Sequence, residues 1–182
     1  MHNDRACPPR ACTHVAQLYD YDERALISGI AEYLAEGLRS GGSLIVVTND
    51  DRRAALFRDL EDCGVAPAFS IRDGRLRVLP AAQTLERLYD GGRLSYARFD
   101  RVVGGLVREM YETSDGRGLR AYGDMVDELW LRGDRGGAME LERYWNRLQA
   151  TIPFDLFCAY PREGDARAMQ AIAEAHTHLI SA

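Results

Sequence analysis

The chain has 182 residues, enough for one folded unit with its own core. Its net charge is -5, and its 23 basic residues, all arginine, are scattered among 28 acids, which excludes the clustered basic face of a general nucleic-acid binder. No run of about 18 apolar residues predicts a membrane span, and the opening "MHNDRACPPR" lacks the apolar segment of a secretion signal, so a cytoplasmic location is expected.

Residues 1–12, with Pro8 and Pro9 and no apolar period, read as a flexible arm. Residues 13–182 read as a single domain. His14 to Tyr19 alternates as a strand. Asp20 is placed to cap the next helix, with Glu23 completing a capping box, and Leu26, Ile30, Leu34 and Leu38 lie on one face of that helix to about Arg39. Gly41-Gly42 ends it. The run Ser43–Thr48, "SLIVVT", marks a buried parallel strand. Asn49 or Asp50 caps a helix to about Asp62, closed by Gly64. Within Phe69 to Leu79, Asp73-Gly74 predicts a hairpin-type turn between two strands. Pro80 opens a helix through Tyr89, and Gly91-Gly92 stops it. Ser95 starts a helix to Thr113. A strand follows at Leu119–Gly123, then helices over 124–131 and 136–150. "FDLFCAYP" (154–161) is a strand, and Asp165 starts a last helix to about Ile180. Alternating strands and helices predict an α/β fold, a three-layer αβα sandwich around a mostly parallel sheet.

In such sheets ligands bind beyond the carboxyl ends of the strands. Tyr19, Tyr122 and Tyr160 each lie near a strand end, and the sequence predicts that these ends share one rim. A phosphate loop of the G-x-x-x-x-G-K-[ST] type is absent, the chain has no lysine, and Asp20, Asp22 and Glu23 occupy the first strand–helix junction. Their charge repels the triphosphate that a helix start there normally attracts. His14 and Asp124 are residue types that acid–base chemistry uses, but no catalytic signature surrounds them. Asp124 is equally a helix N-cap, and His14 a hydrogen-bonded strand residue. Tyr19, Tyr122, Met125, Trp130, Trp145, Phe157, Cys158 and Tyr160 are either walls of an apolar ligand pocket or core, and the two tryptophans lie at core-like helical spacing. Cys7, Cys12 and His14 match no established zinc spacing and lack a fourth ligand, so neither a metal nor a cofactor is expected.

Five blocks in order, "CTHVAQLYDYDE", "YLAEGLRSGGSLIVVT", "LRAYGDMVDELWLRGD", "LERYWNRL" and "FDLFCAYP", resemble the MEDS domain, the methanogen/methylotroph sensory domain of dichloromethane-responsive repressors and sensor histidine kinases. The resemblance spans about residues 13–161. It implies a RecA/KaiC-like core without the Walker A loop, and a non-catalytic sensor of small organic molecules such as hydrocarbon derivatives. The family pattern Gly-Glu-Met stands here as Gly123-Asp124-Met125, which shortens the carboxylate's reach. His14, Tyr19, Gly123, Asp124, Met125, Trp130, Trp145 and Tyr160 are the family-like positions.

The expected ligand site combines His14, Tyr19, Tyr122, Asp124, Met125, Trp130, Cys158 and Tyr160, with a His14–Tyr19 pair holding one polar atom. The expected partners are a small organic ligand and a histidine kinase or transcriptional regulator, in trans or on a longer chain. Neither nucleic acid nor membrane is expected to be bound directly, and a homodimer is compatible with the sequence. The alternative is a ligand-free interaction or oligomerisation module derived from a RecA-like ATPase.

Overall fold

All six residues of "SLIVVT" are buried, as a strand in the middle of a parallel sheet requires. A computed structural model describes residues 12–20, 23–162 and 166–181. Its strands are β1 (His14–Tyr19), β2 (Ser43–Thr48), β3 (Leu76–Pro80), β4 (Tyr89–Asp90), β5 (Arg93–Leu94), β6 (Leu119–Gly123), β7 (Asp155–Pro161) and β8 (His178–Ser181). Six of them form one sheet in the order β3-β2-β6-β7-β1-β8, with every ladder parallel. The remaining two make a small antiparallel hairpin around Gly91 and Gly92, both at positive φ.

The strand order fixes the layers. From β1 the chain moves outward to β2 and β3 through α1 (Arg24–Arg39), α2 (Asp50–Asp62) and α3 (Pro67–Arg72). From β3 it returns in the other direction to β6, β7 and β8. It does so through α4 (Ala81–Glu86), α5 (Tyr96–Phe99), α6 (Gly105–Thr113), α7 (Met125–Leu131), α8 (Arg135–Gln149) and α9 (Ala166–Ala175). Right-handed crossovers in opposite directions put the two helix sets on opposite faces. One core accordingly joins Leu26, Ile30 and Leu34 of α1 and Leu56 and Leu60 of α2 to Leu44, Val46 and Tyr122. The other joins Phe99, Val107, Leu141 and Trp145 to Ile45, Ala121, Cys158 and Tyr160. The three-layer α/β sandwich expected from the sequence is the fold found.

α5 and α6 are one continuous helix whose middle, Asp100–Gly104, is wound as a π-turn. Between α1 and β2, Gly42 has no room for a side chain, since a Cβ there would lie 2.6 Å from the Gly118 carbonyl oxygen.

Four local expectations are corrected. The Asp73-Gly74 turn does not join two strands. Pro67 sits in the first turn of a helix, where its missing N–H is no loss, and the turn closes that helix. The single strand after it, β3, pairs with the distant β2. Pro80 opens a helix that ends at Glu86, and Tyr89–Asp90 is hairpin strand. The last helix ends at Ala175, because His178–Ser181 pairs with β1 as an edge strand. Glu23 stands at the N-cap of α1 but makes no capping bond, and Asp20 accepts instead from Arg162 at 3.2 Å. The 1–12 arm except Cys12, together with Asp22 and Asp165, lies outside the described residues.

Candidate functional site

The predicted site residues divide between two buried polar clusters on opposite faces of the sheet. The first lies at the carboxyl ends of β1, β2 and β6. Asn49 caps α2 by accepting from the Arg52 N–H at 2.8 Å. This sets Arg52 in the first turn of α2, on the buried stripe it shares with Leu56 and Leu60. Its side chain reaches over the ends of the strands. Nη1 donates to Asp127 Oδ2 at 2.9 Å, to Asp124 Oδ1 and to the Tyr122 hydroxyl at 3.3 Å. Nε and Nη2 grip Glu23 at 3.1 and 2.7 Å, a two-pronged pair. Tyr19 donates to Asp127 Oδ1 at 2.8 Å, Thr48 to Asp124 Oδ2 at 2.5 Å, and Tyr122 to Asp124.

A cation at a helix N-terminus opposes the helix dipole. Here three carboxylates outweigh that opposition. Burial also works against the Arg52 charge, yet Tyr122, Asp124, Glu23 and Asp127 hold the guanidinium firmly protonated. Burial pushes the Asp127 carboxyl up to about 6, against the pull of Arg52 and with the push of Asp124. Burial, then the Asp127 charge, raises the Tyr19 phenol, and burial, then Asp124, raises Tyr122. Both remain neutral donors. Asp124 occupies the N-cap position of α7 but makes no side-chain cap, because its oxygens are engaged by Arg52, Thr48 and Tyr122. The cluster stands where an α/β sheet offers its ligand crevice. There a guanidinium supplied by the chain takes the place of a bound charge. Glu23, whose side chain is 39% exposed, is its solvent-facing edge.

The second cluster lies on the other face. His14 opens β1, and Cys158 sits on the adjacent β7, where the register pairs it with Ala16. α8 covers them with Glu142 and Asn146, and His176 arrives from the link between α9 and β8. Glu142 is fully buried. Its Oε2 lies 3.2 Å from His14 Nε2 and 3.9 Å from Cys158 Sγ, and its Oε1 lies 3.2 Å from His176 Nε2 and accepts from the Tyr160 hydroxyl. His14 Nε2 and Cys158 Sγ are 3.5 Å apart. Burial alone raises a carboxyl, but His14 and His176 hold Glu142 well below its usual range, and Glu142 in turn raises His176 against its burial. Burial, then the Glu142 charge, pushes the Cys158 thiol up, and the same two causes raise Tyr160.

The structure therefore brings Tyr19, Tyr122 and Asp124 together, and separately His14, Cys158 and Tyr160. The expected His14–Tyr19 pair does not form. Five residue steps put them about 16 Å apart at opposite ends of β1, and their opposite parity points them to opposite faces. The parallel ladders do put the ends of β1, β6 and β7 on one edge of the sheet, but the Tyr160 side chain lies on the other face, in the second cluster. Met125 and Trp130 lie in the core, Trp130 edge-on to Tyr160 with ring centroids 5.3 Å apart. Trp145 is likewise core, edge-on to Phe99. Arg52, Asp127, Glu142 and His176 were not anticipated as site residues. Arg52 and Glu142 carried a signal: each is a charge on the apolar stripe of an amphipathic helix, Glu142 among Ala138, Leu141, Trp145 and Leu148. His176 carried none.

Fold and rim together define an α/β domain with a buried ion-pair cluster at the carboxyl edge of its parallel sheet. The sequence profile of MEDS, the methanogen/methylotroph, DcmR sensory domain, matches residues 13–177, and the chain belongs to that family. The family is a sensory one, which suggests a sensor rather than an enzyme. No curated protein matches the chain. Among solved structures, the uncharacterized protein PH0321 from Pyrococcus horikoshii, crystallised in complex with an unknown peptide, is similar. It has a TM-score of 0.66 and 14% identity, over 92% of this chain and 76% of that chain. At that identity the likeness is one of fold. Among the described residues no helix is long and apolar enough to cross a membrane.

Proposed function

We propose that the chain is a non-catalytic, cytoplasmic sensory domain. It binds a small organic molecule of the hydrocarbon-derivative type and reports to a histidine kinase or transcriptional regulator, in trans or on a longer chain. The observation that carries this reading is the rim cluster. One guanidinium faces Glu23, Asp124 and Asp127, with the Tyr19 and Tyr122 hydroxyls between them. That set repels phosphates and favours a neutral or cationic guest beside phenols. Glu23 begins α1 and Arg52 begins α2, so a guest that parts this pair changes how two packed helices are tied. The change then appears on the outer surface of that helix layer.

Native mass spectrometry of the purified chain, with thermal shifts across a panel of small neutral and cationic organics, tests the reading. A bound species whose stabilisation is lost in Tyr19→Phe supports it. A clean apo mass and no shift across the panel overturns it. A ligand-free interaction module is the second reading, favoured by the edge strand β8 with exposed Leu179 and Ile180, and by exposed Phe69 and Ile71 on α3. Concentration-dependent self-association without any ligand response would select it.

A further inference from the structure

The deep cluster aims two imidazoles, a carboxylate and a thiol at one point. Asn146 Nδ2 donates to the Ala175 carbonyl at 3.0 Å, which turns Asn146 Oδ1 toward His14. An amide oxygen only accepts, so His14 Nδ1, at 2.8 Å, carries a proton. The Ile172 carbonyl, 2.6 Å from His176 Nδ1, imposes the same tautomer there. With Nδ1–H committed on both rings, each Nε2 faces the Glu142 carboxylate either as a second N–H or as a lone pair that a bound cation occupies. His176 Nε2 is fully buried and has no hydrogen-bond partner, although Glu142 Oε1 is 3.2 Å away.

We propose that His14, Glu142, Cys158 and His176 form a closed binding site for one divalent transition-metal ion of the zinc type. One ligand atom from each lies within 4.8 Å of all the others. Zinc bonds of about 2.0–2.3 Å in a tetrahedron place ligand atoms about 3.3–3.8 Å apart. The observed edges of 3.2 Å (His14 to Glu142), 3.5 Å (His14 to Cys158) and 3.9 Å (Glu142 to Cys158) are close to that frame. Each imidazole has its Nδ1–H anchored on an oxygen, the outer arrangement that orients a histidine ligand. Tyr160 holds the second carboxylate oxygen and leaves Oε2 for the ion. On loading, the metal–sulfur bond forms as the Cys158 S–H proton leaves to solvent. The thiolate and the carboxylate then cancel the 2+ charge, which a dry site requires. Two imidazoles, a carboxylate and a thiolate mix borderline, hard and soft ligands in the way zinc tolerates, and four protein ligands leave no open position. The ion is structural or regulatory. It staples the start of β1, the middle of α8 and the middle of β7 to the link that leads into the edge strand β8.

The proposal does not depend on the rim ligand, which uses other residues. The test takes the full chain, strips it with EDTA, reloads it with zinc and counts metal by mass spectrometry. Cobalt replaces zinc for spectroscopy. One ion per chain, with tetrahedral cobalt bands and a sulfur-to-cobalt charge-transfer band that Cys158→Ser abolishes, is the expected result. Asn146→Ala, which touches no ligand atom of the ion, weakens zinc by about 10–100-fold while the circular dichroism stays unchanged. A stripped chain that takes up no stoichiometric zinc, an octahedral cobalt spectrum without the sulfur band, or an affinity indifferent to both variants overturns the proposal.

Discussion

The rim cluster carries a permanent cation, Arg52, whereas the deep cluster sets two imidazoles against its acid. At the rim, Arg52 is a fixed part of α2, and its N–H groups find oxygen partners on Glu23, Tyr122, Asp124 and Asp127. In the deep cluster the acid Glu142 faces two imidazole nitrogens whose outer N–H groups are already committed. A buried acid with a covalently tethered partner is a permanent feature of a fold. A buried acid among imidazoles and a thiol is balanced by groups that a proton or the proposed metal ion can complete. The two faces of one sheet thus set a fixed charge balance against an adjustable one.

The largest effect that tests this contrast is removal of the tethered cation. Arg52→Met leaves Asp124 and Asp127 buried without their cation, with only hydroxyl donors left to them, and is expected to cost about 3–5 kcal/mol in urea denaturation. That loss is the same in zinc or EDTA, whereas the stability of the unaltered chain responds to zinc through the deep cluster.

The next effect is a pH dependence. In the fold the Asp127 carboxyl titrates at about 6 against an ordinary value of 3.8. Between those values the folded chain keeps a proton that the unfolded chain releases. The group's contribution is therefore full below about pH 4 and is lost as the pH rises through about 6, a difference of roughly 3 kcal/mol. The stability difference between the unaltered chain and Asp127→Asn, followed by denaturation from pH 4 to 7, should fall with rising pH. A flat difference would show that Arg52 keeps Asp127 ionised throughout.

The smallest effect is the control. Arg132 and Glu128 form an exposed pair at 2.8 Å, four residues apart on α7 and its end. Arg132→Ala should change stability by about 0.5 kcal/mol or less, and less still in high salt.

Much of the fold was legible because its signals are local. The "SLIVVT" run, the apolar faces of α1 and α8 and the glycine stops all mark elements without reference to the rest of the chain. β3 was read as a strand but given a hairpin partner, and β8 was read as helix, because their pairing with β2 and β1 joins residues far apart in sequence. The site was half legible. Tyr19, Tyr122 and Asp124 advertise themselves as polar groups at strand ends. Which face each occupies follows from strand parity, and parity already separates His14 from Tyr19. Arg52 and Glu142 look like surface charges until they are placed on the stripe of their own helix. His176 lies in the α9–β8 link, and only the return of β8 to β1 brings it beside His14, with ring centroids 4.2 Å apart.

The π-turn at Asp100–Gly104 has a consequence for how this chain tolerates length change. Such a turn holds one residue more than an α-turn, and Phe99 before it and Val103 within it share a core with Val107 and Met110 after it. Deleting one residue inside 100–104 returns that turn to an ordinary α-turn and leaves the two halves in phase. A deletion in α8 has no spare residue to absorb it and turns everything beyond by about 100°. The long helix is thus the place where relatives of this chain can differ by a single-residue gap while Val107 and Met110 keep their places in the core.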